Sequence, residues 1–201
     1  MKQQILHIHG GEVFDSQDQY LHHLKNVELY HMETSVFNPW YKNYLRFLED
    51  EKFQIISPPM PCAENSKYIE WKIWFDRHLK YLRNDIILVG HSLGGIFLAK
   101  YLAENDFPVT IKQLHLVAPV YDYVSEVEQL ADFRLGDFPG KLPEKTIPEI
   151  HLYASQDDDV VPFTESEKYY AQIPGSQLHV FKDRGHFLGE EFPELFENIM
   201  K

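Results

Sequence analysis

The apolar run Ile86-Ile87-Leu88-Val89 leads directly into Gly90-His91-Ser92-Leu93-Gly94-Gly95, after which a helical pattern begins. An unbroken apolar run of this length suits a strand buried on both faces, as found in the middle of a parallel sheet. Strand, glycine-flanked serine and helix in that order predict a sharp, strained turn that lifts the Ser92 hydroxyl clear of the sheet's carboxyl edge. The first amides of the following helix would point to the same place. Leu93 N–H could then donate to a developing oxyanion, with the helix dipole favouring negative charge there. Alone, a Gly-x-Ser-x-Gly string could be a tight turn with no chemistry; the strand before it and the helix after it favour a nucleophile.

The rest of the chain repeats this strand and helix alternation, which predicts an α/β architecture with a mostly parallel sheet and helices on both faces. Strands are predicted at Ile5–His9, Phe53–Ser57, Ile86–His91, Gln113–Ala118, Ile150–Ala154 and Leu178–Phe181. Trp40, Tyr41, Tyr44, Leu45 and Leu48 fall at helical spacing, as do Ile69, Ile73, Leu79 and Leu82, and both sets are predicted to face the core. Phe97, Leu98, Tyr101 and Leu102 mark an apolar stripe after Ser92, and Phe192, Leu195, Phe196 and Ile199 mark another at the end of the chain. No repeat or flexible linker divides the sequence, so residues 1–201 are expected to form one domain. Val13–Phe37 is less regular, and Tyr121–Pro148 has acidic helical character followed by a Gly/Pro-containing stretch that could form a short cap.

A serine hydroxyl is a poor nucleophile at neutral pH and needs a base, normally a histidine held in the right tautomer by a carboxylate. Both follow in the sequence. Ser155-Gln156-Asp157-Asp158-Asp159-Val160-Val161-Pro162 comes after the Ile150 strand, and Asp183-Arg184-Gly185-His186-Phe187 comes after the Leu178 strand. His186 is the expected base. Asp158 is the preferred orienting carboxylate because it opens Asp-x-x-Val-Pro, with Asp157 and, more weakly, Asp183 as alternatives. An acidic surface turn is the bland reading of the three aspartates.

The first strand ends in His7-Ile8-His9-Gly10-Gly11-Glu12, where glycines let backbone N–H groups approach a ligand. A second oxyanion donor is expected here, Gly11 N–H first and Glu12 N–H second. His7 and His9 share one face of a strand, an arrangement that also suits a metal site. The segment lacks the Asp-His continuation of common metallohydrolases, and structural histidines are the better reading. Neither a metal nor a bound cofactor is expected.

Asp and Glu number 31 against 19 Lys and Arg, a formal charge of −12, which would repel phosphate backbones and anionic lipid. Nucleic acid and membrane are therefore unexpected partners, and the expected ligand is a small acyl substrate. The opening segment is too short and polar for a secretory core or a membrane span, and a single cysteine, Cys62, cannot form an internal disulfide. Both points fit a cytoplasmic location.

Gly90-His91-Ser92-Leu93-Gly94-Gly95, Asp158-Asp159-Val160-Val161-Pro162, Gly185-His186-Phe187 and, more weakly, Met60-Pro61 before a Trp-containing helix resemble the α/β-hydrolase superfamily. Within it the chain is most similar to the small serine hydrolases related to retinoblastoma-binding protein nine. The resemblance implies a three-layer fold whose six-stranded sheet has the order 2-1-3-4-5-6, and a Ser-His-Asp triad at its carboxyl edge that cleaves an ester, thioester or activated amide. A binding protein that keeps the scaffold without the chemistry is the alternative from another class, since fold alone does not decide function.

Overall fold

The computed structural model describes residues 2–27, 39–42, 45, 48, 52–125, 129–136, 142 and 147–201. Six strands form one sheet: β1 (Gln3–Ile8), β2 (Phe53–Ile56), β3 (Ile86–His91), β4 (Ile111–Val117), β5 (Glu149–Ser155) and β6 (Gln177–Phe181). Their spatial order is β2-β1-β3-β4-β5-β6 and all five pairings are parallel. The resemblance implied this order, and each predicted strand is present, with no end shifted by more than two residues. Among the described residues the α-helices with stated bounds are α1 (Gln17–Asn26), α2 (Tyr68–Asp76), α3 (Leu93–Glu104), α4 (Phe163–Gln172) and α5 (Pro193–Ile199).

The two-residue period of a strand sorts the core into two layers. Leu6, Ile8, Ile86, Leu88, Leu114, Leu116 and Leu152 face α2, α3 and α4, while Ile5, Ile87, Val89, Val117 and Tyr153 face Trp40, Leu45 and α5. Helices therefore cover both faces. Helix α3, directly behind the central strand β3, is buried from Leu93 to Ala103, so its apolar surface is wider than the single stripe expected.

Three expectations change. In α2 the buried residues are Tyr68, Trp71 and Phe75, whereas Ile69 and Ile73 are 55% and 59% exposed. The aromatic set removes more apolar area from water than two isoleucines could, so it takes the inner face. Ile69 and Ile73 were placed inside by spacing alone. Second, Val13–Phe37 contains α1, whose Ser16 side chain accepts from Gln19 N–H as an N-cap. That helix buries none of its residues, which is why no strong apolar period announces it. Third, the described part of Tyr121–Pro148 holds only a short 3₁₀ turn, Ala131–Phe133, with Leu130, Phe133, Leu135 and Leu142 buried. The acidic helical character at 126–128, the stretch at 137–141 and most of the 40–48 helical pattern lie outside the described residues.

Candidate active site

Ser92 stands at the end of β3, as the residue immediately before α3, with φ 53° and ψ −119°. A non-glycine residue in this region is strained, and such strain concentrates at functional positions. Packing enforces the turn. A Cβ on Gly94 would lie 2.2 Å from the Ile8 carbonyl oxygen, and one on Gly90 would lie 2.5 Å from the Gly94 carbonyl oxygen. Only hydrogen fits at either place, so helix and strands close around the serine.

Serine before a helix usually spends its hydroxyl on a first-turn amide. Here it does not, and Ser92 makes no side-chain capping bond. The backbone fixes it instead: Ser92 N–H donates to the Val117 carbonyl at 2.8 Å, and its own carbonyl accepts from Gly95 N–H at 2.8 Å. The residue is 8% exposed and lines a small pocket with Gly11, Val13, Leu93, Val120 and Val161. Gly10 packs behind it, where a Cβ would lie 3.2 Å from Ser92 Cβ.

The loop after β5 meets the loop after β6. His186 Nδ1 lies 2.9 Å from Asp158 Oδ2 and 3.1 Å from Oδ1, and the Asp158 side chain is only 1% exposed. Asp158 Oδ1 also accepts Val160 N–H and Val161 N–H, both at 2.9 Å. A carboxylate with these three donors has little freedom to turn. Of the three aspartates, then, Asp158 is the one that meets the imidazole.

Asp157 and Asp183 do not. Asp157 accepts the Ser155 hydroxyl and, at 2.9 Å, Gly185 N–H, and these bonds hold its pKa below the usual carboxylate value. Asp183 is exposed, beside a surface cavity lined by Trp40, Arg184 and Phe187.

The His186 ring centroid is 5.0 Å from that of His91, the residue before the serine, so the imidazole and the strand-to-helix turn are neighbours. Among the described residues neither the Ser92 hydroxyl nor His186 Nε2 makes a hydrogen bond, and the link between them is open.

Leu93 opens α3, where first-turn N–H groups have no intrahelical acceptor. Of the two residues expected to supply a second donor, Glu12 is taken: its N–H donates to the Ala63 carbonyl at 2.8 Å. Gly11 N–H has no such partner among the described residues and lies on the pocket wall with Ser92 and Leu93. Glu12 is thus ruled out by a backbone bond that no sequence pattern announces.

The two histidines of the first strand have other occupations. His9 Nε2 accepts Met60 N–H at 2.9 Å, and its Nδ1 lies 2.6 Å from the Gly10 carbonyl. His7 Nδ1 lies 2.9 Å from the Ser57 hydroxyl, and burial, with His9 nearby, pushes its pKa down to about 3. These contacts tie them to the Gly10 backbone and to the segment around Met60 and Ser57. Among the described residues no group of three His, Cys, Asp or Glu side chains could hold a metal.

The serine hydrolase family model matches residues 33–199. The chain belongs to this family. This serine hydrolase is 25% identical to serine hydrolase RBBP9 of Rattus norvegicus over 165 residues, 80% of this chain and 84% of the relative. It is also 25% identical over 158 residues to a hydrolase named YdeN of Bacillus subtilis, covering 79% of this chain and 81% of the other. The solved structure of the B. subtilis ydeN gene product superposes with a TM-score of 0.77 at 22% identity, covering 99% and 97% of the two chains. An esterase from Exiguobacterium antarcticum superposes at 0.60 with 15% identity over 100% and 91%. At these identities the structural likenesses establish the α/β-hydrolase fold. Among the described residues of the serine hydrolase, no helix is long and apolar enough to cross a membrane.

Proposed function

We propose that this serine hydrolase cleaves a carboxylic ester, thioester or activated amide through an acyl-enzyme, with Ser92 as nucleophile, His186 as general base and Asp158 as the carboxylate that orients it. The observation that carries the reading is the pairing of Asp158 with His186 Nδ1 at 2.9 Å, beside the elbow that holds Ser92 at φ 53°.

That pairing leaves His186 Nε2 as the basic nitrogen. It takes the Ser92 proton as Oγ bonds to the substrate carbonyl carbon, and the new imidazolium is stabilised by Asp158. Negative charge gathers on the former carbonyl oxygen, where Leu93 N–H and Gly11 N–H serve as donors. Collapse of the tetrahedral species breaks the bond to the leaving group, which takes the proton from His186. Water, deprotonated by the same nitrogen, then releases the acid and restores Ser92. The open serine–histidine link is compatible with this sequence, because catalytic hydrogen bonds in resting enzymes are often long and tighten only with substrate in place.

Among the described residues the wall of the pocket carries Val13, Val120, Leu130, Val160 and Val161 and no charged side chain, which supports an uncharged acyl group. We read the chain as one domain acting on a small-molecule substrate, with no cofactor in the reaction.

The test is Ser92→Ala, which should lower turnover of p-nitrophenyl acetate by about 10⁴–10⁶ without altering the circular dichroism spectrum. Fluorophosphonate should label the native protein and not the variant. A native protein that neither labels nor turns over ester, yet binds a partner stably, would instead identify a binding module.

A further inference from the structure

The turn that carries the proposed base is held at four consecutive backbone positions by side chains from elsewhere in the fold. Arg184 N–H donates to Ser155 Oγ at 3.0 Å and Gly185 N–H donates to Asp157 Oδ1 at 2.9 Å. On the other side of the turn, His91 Nε2 lies 2.9 Å from the His186 carbonyl, and Trp40 Nε1 donates to the Phe187 carbonyl at 3.1 Å. Gly185 at φ 50° and Phe187 at φ 54° flank the histidine, so this is irregular backbone whose orientation depends on such donors.

We propose that His91 is a positioning residue for the hydrolytic reaction: its Nε2–H holds the His186 carbonyl and so sets the approach of that imidazole to Ser92, an inference that rests on the mechanism above. A carbonyl oxygen can only accept, so His91 carries its proton on Nε2. The ring is 2% exposed, and its Nδ1 is buried with no hydrogen-bond partner among the described residues. A hydrocarbon would fill this place without stranding a polar atom, so packing alone does not explain a histidine here. What the imidazole adds is one directed donor.

Its place in the chain gives that donor a consequence. His91 ends β3 and immediately precedes Ser92, while its ring is packed at 5.7 Å from Tyr41 and 6.4 Å from Trp40. Nucleophile and base are thereby tied to a single rigid segment, through the peptide on one side and the His91–His186 bond on the other. Displacing a reacting group by about 1 Å can cost about 100-fold in rate, so a single bond that sets the register has a measurable kinetic effect.

The experiment compares His91→Leu, which removes the donor, with His91→Gln, whose side-chain amide can offer an N–H to the same carbonyl. Turnover of p-nitrophenyl acetate is expressed per serine titrated by fluorophosphonate, and folding is followed by circular dichroism. His91→Leu should lower kcat by about 10–100-fold with KM changed by less than about 3-fold, and its rate of fluorophosphonate labelling should fall in parallel. His91→Gln should recover kcat to within about 5-fold of the native protein.

Equal losses in the two folded variants, or native kcat in His91→Leu, overturn the role. Should His91→Leu fail to fold, His91→Gln remains decisive, since a loss beyond about 100-fold in that folded protein contradicts a donor function. Full activity in Ser92→Ala would remove the mechanism itself, whereas an inactive Ser92→Ala beside a fully active His91→Leu removes only the role of His91.

Discussion

Asp158 faces His186 across 28 positions of sequence with both carboxylate oxygens within 3.1 Å of Nδ1, and the oxygen at 3.1 Å is also the one that accepts Val160 N–H and Val161 N–H. The acid is therefore aimed by the backbone of its own loop before it meets the base. Asp158→Asn keeps the shape and removes the charge, and its amide can present an N–H to Nδ1, which disfavours the tautomer that leaves Nε2 basic. The expected outcome is a loss of about 10³–10⁴ in kcat, read in p-nitrophenyl acetate turnover. Asp159→Asn, on an exposed neighbour, serves as the control and should keep native activity within about 2-fold.

Gly94→Ala tests the elbow's packing. The new methyl would lie 2.2 Å from the Ile8 carbonyl oxygen and 2.6 Å from that of His9, both backbone atoms of the first strand and the loop after it. Neither can move aside as a flexible side chain would. Urea denaturation should show a loss of about 3 kcal/mol or more, at the upper end of overpacking effects, together with lost p-nitrophenyl acetate turnover because the 10–12 loop, the proposed oxyanion donor, is pushed away from Ser92. Gly136→Ala provides the contrast. A Cβ there meets no atom of the described residues within 4 Å, and its φ of 55° opposes the change, so a cost of about 1 kcal/mol is expected.

Which features could be read from the sequence follows from what each one depends on. The strand positions and the Ser92 elbow rest on local patterns, an apolar run, a glycine on either side of a serine and a helical period, and these survive folding unchanged, whereas the strand order came from the family resemblance. The Asp158–His186 pair was also accessible, since two loops at the carboxyl edge of neighbouring strands must lie near each other. Ile69 and Ile73 were misplaced because spacing alone cannot say which of two apolar faces points inward, and Tyr68, Trp71 and Phe75 displaced them. The grip on the 184–187 turn had no signal at all. The turn takes part only through the N–H groups of Arg184 and Gly185 and the carbonyls of His186 and Phe187, backbone groups that carry no side-chain pattern.

Glu165 supports the wall of the pocket. Its carboxylate, in a residue 1% exposed, accepts Tyr121, Asp122 and Tyr123 N–H at 2.9, 2.8 and 2.7 Å and pairs with Lys168 Nζ at 2.6 Å. Tyr123 and Val120 from this loop line the pocket beside Ser92. Glu165→Ala leaves three amides without their acceptor and removes one of the two carboxylates that Lys168 pairs with, and chemical denaturation should show a loss of about 3–5 kcal/mol. Glu165→Gln retains one carbonyl oxygen for the amides and should lose less than half as much. In both, KM for p-nitrophenyl acetate should rise more than kcat falls, because the loop shapes the acyl pocket and touches neither His186 nor Asp158. A fall in kcat alone would contradict that division.

The buried histidines set the response to acid. His7, His91, His115 and His151 are each 2% exposed or less, and burial, in every case the main cause, pushes their pKa values down from 6.5. His115 and His151 stack at 4.8 Å in the layer under α5, with His179 beyond, and Lys112 and Lys201 oppose protonation there, while Glu149 favours it at His151. A lowered folded-state pKa means that the unfolded chain takes up protons first. Stability is then complete above about pH 7 and drains away as pH falls through 6.5 towards the folded value, which is about 3 for His7. At pH 5 that residue alone should cost about 2 kcal/mol, and carboxylates barely titrate in this interval. The measurement is unfolding free energy by urea between pH 7.5 and 5. His7→Phe, which keeps a ring stacked on Tyr41, should flatten the slope by about 1.4 kcal/mol per pH unit. An unchanged slope would mean that His7 gains its proton in the folded protein as readily as in the unfolded one.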